Sequence, residues 1–196
     1  NDESNILRSL DSAISITKKV NSPVILLAKK GIFSKYKKRK EIIDPKFRNL
    51  LSRECAISLI LSTLPKNSIF ISSTGYISRE LYELREMLNQ KHNSDFLTVG
   101  SMGHASQIAL GIALFKEGIP IVCLDGDGSM IMHMGGLVTN GRYGTNNFYH
   151  ILLNNSVHDS VGGQPTNGFE ISPTEIAKGC KYKNIFGPSL SEFDIK

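Results

Sequence analysis

The sequence predicts an α/β protein, a three-layer sandwich with helices on both faces of a mostly parallel sheet, and three observations carry that prediction. Short apolar runs alternate with helix-like stretches from residue 69 to residue 175, and repeated strand–helix units build parallel sheets with helical crossovers. One run, Ile119-Pro120-Ile121-Val122-Cys123-Leu124, leads into the turn Gly126-Asp127-Gly128-Ser129, and a second, Phe148 to Leu153, leads into Asn154-Asn155. Asp127 and Asn155 stand 28 positions apart, roughly the length that one crossover between adjacent parallel strands requires. The two side chains can therefore meet at the carboxyl edge of the sheet, where open α/β folds bind ligands.

Taken in order, residues 3 to 19 read as a helix with Ile6, Leu7, Leu10, Ile14 and Ile16 broadly on one side, and Val24 to Ala28 reads as a buried strand. The run Lys35-Tyr36-Lys37-Lys38-Arg39-Lys40 is the main source of the formal charge of +5. No nucleic-acid recognition motif surrounds it, so a solvated linker is the better reading than a nucleic-acid or lipid site. From Pro45 a second unit opens with an amphipathic helix, Phe47 to Leu64, holding Leu50, Leu51, Cys55, Ile57, Leu59 and Ile60 and stopped by Pro65. A strand, Ile69-Phe70-Ile71, and the polar turn Ser72-Ser73-Thr74-Gly75-Tyr76 precede a helix from Ser78 to Asn89, whose Glu and Arg residues predict a solvated face. Phe96 to Val99 is a short strand meeting Gly100-Ser101-Met102-Gly103-His104, and a small-residue helix runs from Ala105 to Phe115 before Gly118. After the Gly126 turn a helix begins near Met130. Ser172, Pro173 and Glu175 occupy the N-cap, N1 and N3 positions of another helix. Ser189 to Lys196 holds no convincing final strand, and there is no internal repeat.

With 196 residues and 40% apolar content, the chain admits one full domain, or a domain with a fragment. No apolar run approaches the roughly 20 residues of a membrane span, and Asn1-Asp2-Glu3-Ser4 lacks the basic end and apolar core of a secretion signal. The expectation is a soluble, cytoplasmic protein with neither membrane nor nucleic-acid partner. Cys55, Cys123 and Cys180 are odd in number and scattered through apolar patterns, which predicts buried free thiols rather than disulfides or a zinc site.

The chemistry concentrates in the turn at 126–129. Two glycines around an acid let backbone N–H groups approach a diphosphate, Ser129 can cap a helix or bond a phosphate oxygen, and Asp127 offers a hard oxygen to a divalent cation. The same letters also occur in ordinary strand-to-helix turns. Gly-Asp-Gly, a gap of this size and Asn-Asn together resemble the thiamine diphosphate motif of the decarboxylase superfamily. That resemblance implies a thiamine diphosphate-binding fold, with Mg²⁺ held by Asp127, the Asn155 side chain and the Val157 carbonyl. It places the diphosphate on Gly126, Gly128 and Ser129 and on the turn Gly75-Tyr76. Gly100-Ser101-Met102-Gly103 matches the loop that receives the aminopyrimidine, where the Gly100 carbonyl would accept from the 4′-amino group and Met102 would wedge under the bent cofactor. The residues alone read equally well as a tight glycine turn and a core methionine.

Directly after the metal loop comes His158-Asp159-Ser160-Val161-Gly162-Gly163-Gln164-Pro165-Thr166. Its polar groups and paired glycines would let the chain close over an anionic group. With Gly100 to Ser106 and Asp125 to Met134, it resembles the phosphonopyruvate decarboxylase family. The resemblance implies decarboxylation of the 2-oxo acid 3-phosphonopyruvate to phosphonoacetaldehyde, with His104 and His158 as candidate donors to substrate; apart from the family, His158 reads as a solvated loop histidine. It further implies that residues 1–33 are the tail of a truncated pyrimidine-binding domain, 34–44 a basic linker, and 45–196 a diphosphate-binding domain incomplete at its C-terminus. The activating glutamate would come from the pyrimidine-binding domain of a second subunit, so the fragment alone would be inactive and its parent a homodimer or larger. Sulfopyruvate decarboxylase, a thiamine diphosphate subunit of a 2-oxoacid oxidoreductase, and a non-enzymatic phosphate or nucleotide-binding module stay open as alternatives. Against a dinucleotide fold, Ile131 stands where a third glycine belongs, and there is no Walker lysine.

Overall fold

The protein is described by a computed structural model covering residues 3–31, 33, 50–191 and 194. It divides into two compact units, Asn1–Pro45 and Lys46–Lys196. The first holds helix α1 (Glu3–Val20), as its periodicity predicts. Val24 to Ala28 is not the expected buried strand: it forms no ladder among the described residues, and Ile25 and Leu27 are exposed. Apolar composition licenses a strand, but only a neighbouring strand supplies its hydrogen bonds. The basic run at 35–40 lies outside the described residues.

In the second unit, helix α2 (Arg53–Thr63) begins later than the predicted Phe47, of which residues 47–49 lie outside the described set. The start is set by Ser52, whose backbone is extended and whose hydroxyl accepts the Cys55 N–H at 3.2 Å. A serine in this role satisfies a donor the helix cannot. Cys55 is exposed, contrary to its assignment to the apolar face, while Cys123 is buried and Cys180 half-buried; all three are free thiols. Pro65 follows the helix end.

Strands β1 (Ile69–Ser72), β2 (Asp95–Leu97), β3 (Ile121–Gly126) and β4 (Phe148–Leu153) form one parallel sheet in the order β2-β1-β3-β4. Helix α3 (Tyr76–Met87) crosses from β1 to β2, and α4 (Ala105–Phe115) from β2 to β3. Helices α5 (Asp127–Met132) and α6 (Gly136–Tyr143) link β3 to β4. The period-2 alternation of β3 sorts its side chains cleanly. Val122 and Leu124 pack with α2 and α3 through Ile57, Ile60, Leu81 and Leu84. Ile121 and Cys123 pack with α4 through Ala105, Ala109 and Ala113, whose small side chains on one helical face bring α4 close to the sheet. This is the predicted three-layer arrangement. One detail differs: α3 does not turn all its charges to solvent. Arg85 is buried, donates to Asp95 at 3.1 and 2.9 Å, and lies 5.0 Å over the Phe70 ring. A buried guanidinium survives because it is paired. Helix α7 (Pro173–Gly179) carries the predicted cap, with the Ser172 hydroxyl accepting the Glu175 N–H at 3.4 Å. Among the described residues no helix is long and apolar enough to cross a membrane.

Candidate functional site

From β1 the chain first adds β2 on one side and then, through α4, adds β3 on the other. The direction of growth reverses between β1 and β3, and a crevice opens beyond their carboxyl ends. Two of the glycine turns singled out in the sequence start there: Ser73 to Tyr76 after β1 and Gly126 to Ser129 after β3. They are close neighbours, since a Cβ at Gly126 would touch Ile77 Cδ1 at 3.4 Å and Ser73 Oγ at 4.0 Å. The helix after Gly126 starts at Asp127, three residues before the predicted Met130, so that Asp127, Gly128 and Ser129 form its first turn.

The loop after β2 joins them. The Gly100 N–H donates to Thr74 Oγ1 at 3.4 Å, and the buried Gly103 N–H donates to Ser129 Oγ at 3.0 Å. Gly100, Ser101 and Gly103 all have positive φ, +78°, +46° and +92°, a strained path for Ser101 that its neighbours must hold. Ser101 and His104 are exposed and Met102 half-buried. The His104 ring sits 4.0 Å from that of His133, a residue the sequence reading passed over. No hydrogen bond or ring contact joins His104 to His158 among the described residues.

The segment after β4 closes the site. A short antiparallel hairpin, β5 (Val157–His158) and β6 (Gln164–Pro165), folds the chain back on itself. It returns Thr166 to the 126–129 turn, where the Thr166 hydroxyl donates to Asp127 Oδ2. Asp127 is 2% exposed and forms no ion pair with a cationic side chain among the described residues. A Cβ at the buried Gly168 would lie 2.5 Å from both Asp127 Oδ2 and Asn154 Oδ1, so these two oxygens converge on that glycine. Asn154 is thus the asparagine found beside Asp127. The Asn155 side chain is exposed, and its oxygen accepts the Val157 N–H at 3.3 Å. His158 packs on the turn itself, its Cε1 being 2.5 Å from where a Gly128 Cβ would stand. Ser160 meets Gly75 in the same way, at 2.8 Å. Tyr76 is partly exposed and lies under the Arg53 and Arg79 guanidiniums, each 5.4 Å from the ring centre. Arg53 also donates to Glu80 at 2.8 and 2.6 Å and to Asp159 at 3.4 Å, and the Glu80 bond leads the effects that raise its pKa. Thr166, Gly168 and Arg53 were invisible to spacing arguments because they arrive through the return of a hairpin and through a helix that precedes the sheet.

A buried carboxylate, hydroxyl and amide oxygens around it, and glycine backbone at a switch point form a hard-oxygen cradle suited to a divalent cation and a diphosphate. Residues 73–186 match the family described as thiamine pyrophosphate enzyme, C-terminal TPP binding domain. The chain belongs to the thiamine pyrophosphate enzymes. Phosphonopyruvate decarboxylase of Streptomyces viridochromogenes is 38% identical over 134 residues, which are 68% of this chain and 32% of that protein. The chain therefore spans about a third of the length of that relative. Sulfopyruvate decarboxylase subunit beta of Methanothermobacter thermautotrophicus is 41% identical over 136 residues, 69% of this chain and 70% of that subunit. Among solved structures, benzoylformate decarboxylase from Polynucleobacter necessarius superposes with a TM-score of 0.61 at 17% identity, over 74% of this chain and 29% of that one, a likeness of fold. The thiamine pyrophosphate enzyme fold is the α/β arrangement described above.

Proposed function

We propose that the full-length protein is a thiamine diphosphate- and Mg²⁺-dependent decarboxylase of 3-phosphonopyruvate, releasing CO₂ and phosphonoacetaldehyde. The observation that carries this reading is the buried Asp127, without a cationic partner among the described residues, at a glycine turn on the switch point of the sheet. A carboxylate with a hydroxyl donor but no cation is costly to bury, and Mg²⁺ would relieve that cost.

In this reading Asp127, the Asn155 side chain and the Val157 carbonyl hold the ion, with Asn155 exchanging its long 3.3 Å bond to Val157 N–H for the metal. Gly126, Gly128, Ser129, Gly75 and Tyr76 receive the diphosphate, and Gly100, Ser101 and Met102 receive the pyrimidine. Bound thiamine diphosphate would supply the electron sink that decarboxylation of a 2-oxo acid needs. This chain's residues bind and orient. The 158–166 segment covers the turn, and His104 and His158 are the candidate donors to the substrate's second anionic group. Residues 1–33 are read as the end of a pyrimidine-binding domain, 34–44 as a linker and 45–196 as the diphosphate-binding domain. The activating carboxylate comes from a second subunit, in a homodimer or larger assembly in the cytoplasm.

A second reading, sulfopyruvate decarboxylation, is favoured by the larger share of the beta subunit that the chain matches, 70% against 32%. Both acids carry an anion on the third carbon. CO₂ release by the full-length protein, with Mg²⁺ and thiamine diphosphate and with each acid as sole substrate, separates them. Turnover of phosphonopyruvate at least tenfold faster supports the first reading. The reverse order replaces it, and turnover of neither acid removes both.

A further inference from the structure

Directly before the turn stands a buried polar chain that the proposed function leaves unused. Asp125 is 1% exposed, on the face of β3 that packs against α4, and its Oδ1 accepts the N–H of Gly126 at 3.0 Å. Its Oδ2 lies 3.3 Å from His150 Nε2, and His150 Nδ1 lies 2.9 Å from the Tyr182 hydroxyl. His150 comes from β4, in register with Cys123, which places it on the Asp125 side of the sheet. Tyr182 comes from the segment after α7. Its N–H donates to Ala177 at 3.1 Å, and the preceding carbonyl of Cys180 lies where a Gly141 Cβ would stand, so glycine lets this segment press onto α6.

One proton arrangement satisfies every member. Burial raises the Tyr182 pKa, so the phenol keeps its proton and donates to Nδ1. With Nδ1 accepting from the phenol, the ring N–H at Nε2 donates to Asp125. With one oxygen held by His150, the carboxylate cannot rotate, and the other oxygen fixes the first amide of the diphosphate turn. Asp125, Cys123 and His150 also bring ligand-type atoms within 4.8 Å of one another. Burial, then the Asp125 charge, hold the Cys123 thiol protonated, and the imidazole and carboxylate already serve each other.

We propose that His150 and Tyr182 are positioning residues that, through Asp125, fix the aim of the Gly126-Asp127-Gly128 turn for a diphosphate. The inference rests on the function proposed above. It also ties cofactor affinity to the C-terminal segment, which is remote from the turn in sequence.

The test is calorimetric titration of the full-length protein with thiamine diphosphate in excess Mg²⁺, for wild type, Tyr182→Phe and His150→Phe, beside melting temperatures without cofactor. Tyr182→Phe removes one hydroxyl and keeps the ring, so it retains the fold even where His150→Phe does not. Loss of one buried hydrogen bond corresponds to a Kd raised about three- to tenfold in Tyr182→Phe, and about ten- to a hundredfold in His150→Phe. Turnover at saturating cofactor should stay within about threefold, since the reacting groups are untouched. Lower melting temperatures with Kd unchanged within about twofold would make the chain a structural network and overturn the inference alone. Wild type that binds no thiamine diphosphate overturns both this inference and the function it rests on. A stoichiometric transition metal that Cys123→Ser removes would also overturn it, because His150 would then serve the metal.

Discussion

Replacing Gly103 by alanine tests whether the loops after β2 and β3 form one rigid unit. Gly103 has φ +92°, and a Cβ there would stand 2.9 Å from His133 Cβ and 3.0 Å from the Ser129 carbonyl oxygen. Neither atom is the far end of a flexible side chain, so the backbone of the 126–133 segment must shift. The left-handed conformation costs an alanine about 1–2 kcal/mol, and forcing atoms into a packed contact adds about 1–3 kcal/mol. Gly100 is the internal control: its φ is +78°, yet a Cβ there meets nothing within 4 Å. Gly100→Ala should therefore cost only the conformational part, and Gly103→Ala about 1–3 kcal/mol more. Urea midpoints at constant m-value measure both. Because the Gly103 N–H holds Ser129, Gly103→Ala should also weaken thiamine diphosphate binding more than Gly100→Ala does. Equal destabilisation by the two substitutions, within about 0.5 kcal/mol, would refute the claim that the loops lock together.

Further outcomes are expected. Leu81, fully buried between α2 and the sheet, should cost about 2–5 kcal/mol on truncation to alanine, read from the same urea transitions. Arg53→Met breaks a two-bond pair with Glu80 at 19% side-chain exposure, which corresponds to about 1–3 kcal/mol. Asp159→Asn loosens a 3.4 Å contact whose aspartate side chain is 48% exposed and should cost about 0.5 kcal/mol or less. In native protein an alkylating reagent should modify Cys55 and spare Cys123, as peptide mass spectrometry would show. The Cys123 thiol is raised above its ordinary 9.0 and the Tyr182 phenol above its ordinary 10.0. The unfolded chain therefore ionises first, and stability present below pH about 9 is lost as pH rises further. Cys123→Ala should flatten that decline between pH 8 and pH 10.

The fold was legible wherever local pattern and tertiary role coincide. Ala105 to Phe115 and Phe148 to Leu153 have the bounds their apolar patterns predict, because Ala105, Ala109 and Ala113 hold one face of α4 in the core and β4 pairs with β3 from Phe148 to Leu153. Pattern failed where a neighbour decides. Val24 to Ala28 has a strand's composition but no ladder partner among the described residues. The start of α2 was set by the Ser52 cap rather than by the apolar residues before it, and Arg85 is buried because Asp95 waits across the β1–β2 edge. In the site, the Gly126-Asp127-Gly128 turn and the Gly100 and Gly75 loops could be read from glycine placement, since Gly75 and Gly100 take a positive φ and a Cβ at Gly128 would collide with His158. Thr166 and Gly168 could not, because a hairpin of irregular loop delivers them to Asp127, and no periodicity encodes its return path. The Asp125–His150–Tyr182 chain joins three distant segments through register and a close glycine contact, which one sequence does not reveal.

The central claim is that Asp127 and its turn hold a metal-bridged diphosphate. Calorimetric titration of the full-length protein with thiamine diphosphate, with Mg²⁺ and again with a chelator, beside Asp127→Ala, tests it most directly. The account predicts saturable one-to-one binding that needs the divalent ion and weakens at least a hundredfold in Asp127→Ala. Binding of equal strength in the variant or in the chelator, or no binding by the wild type, would contradict it.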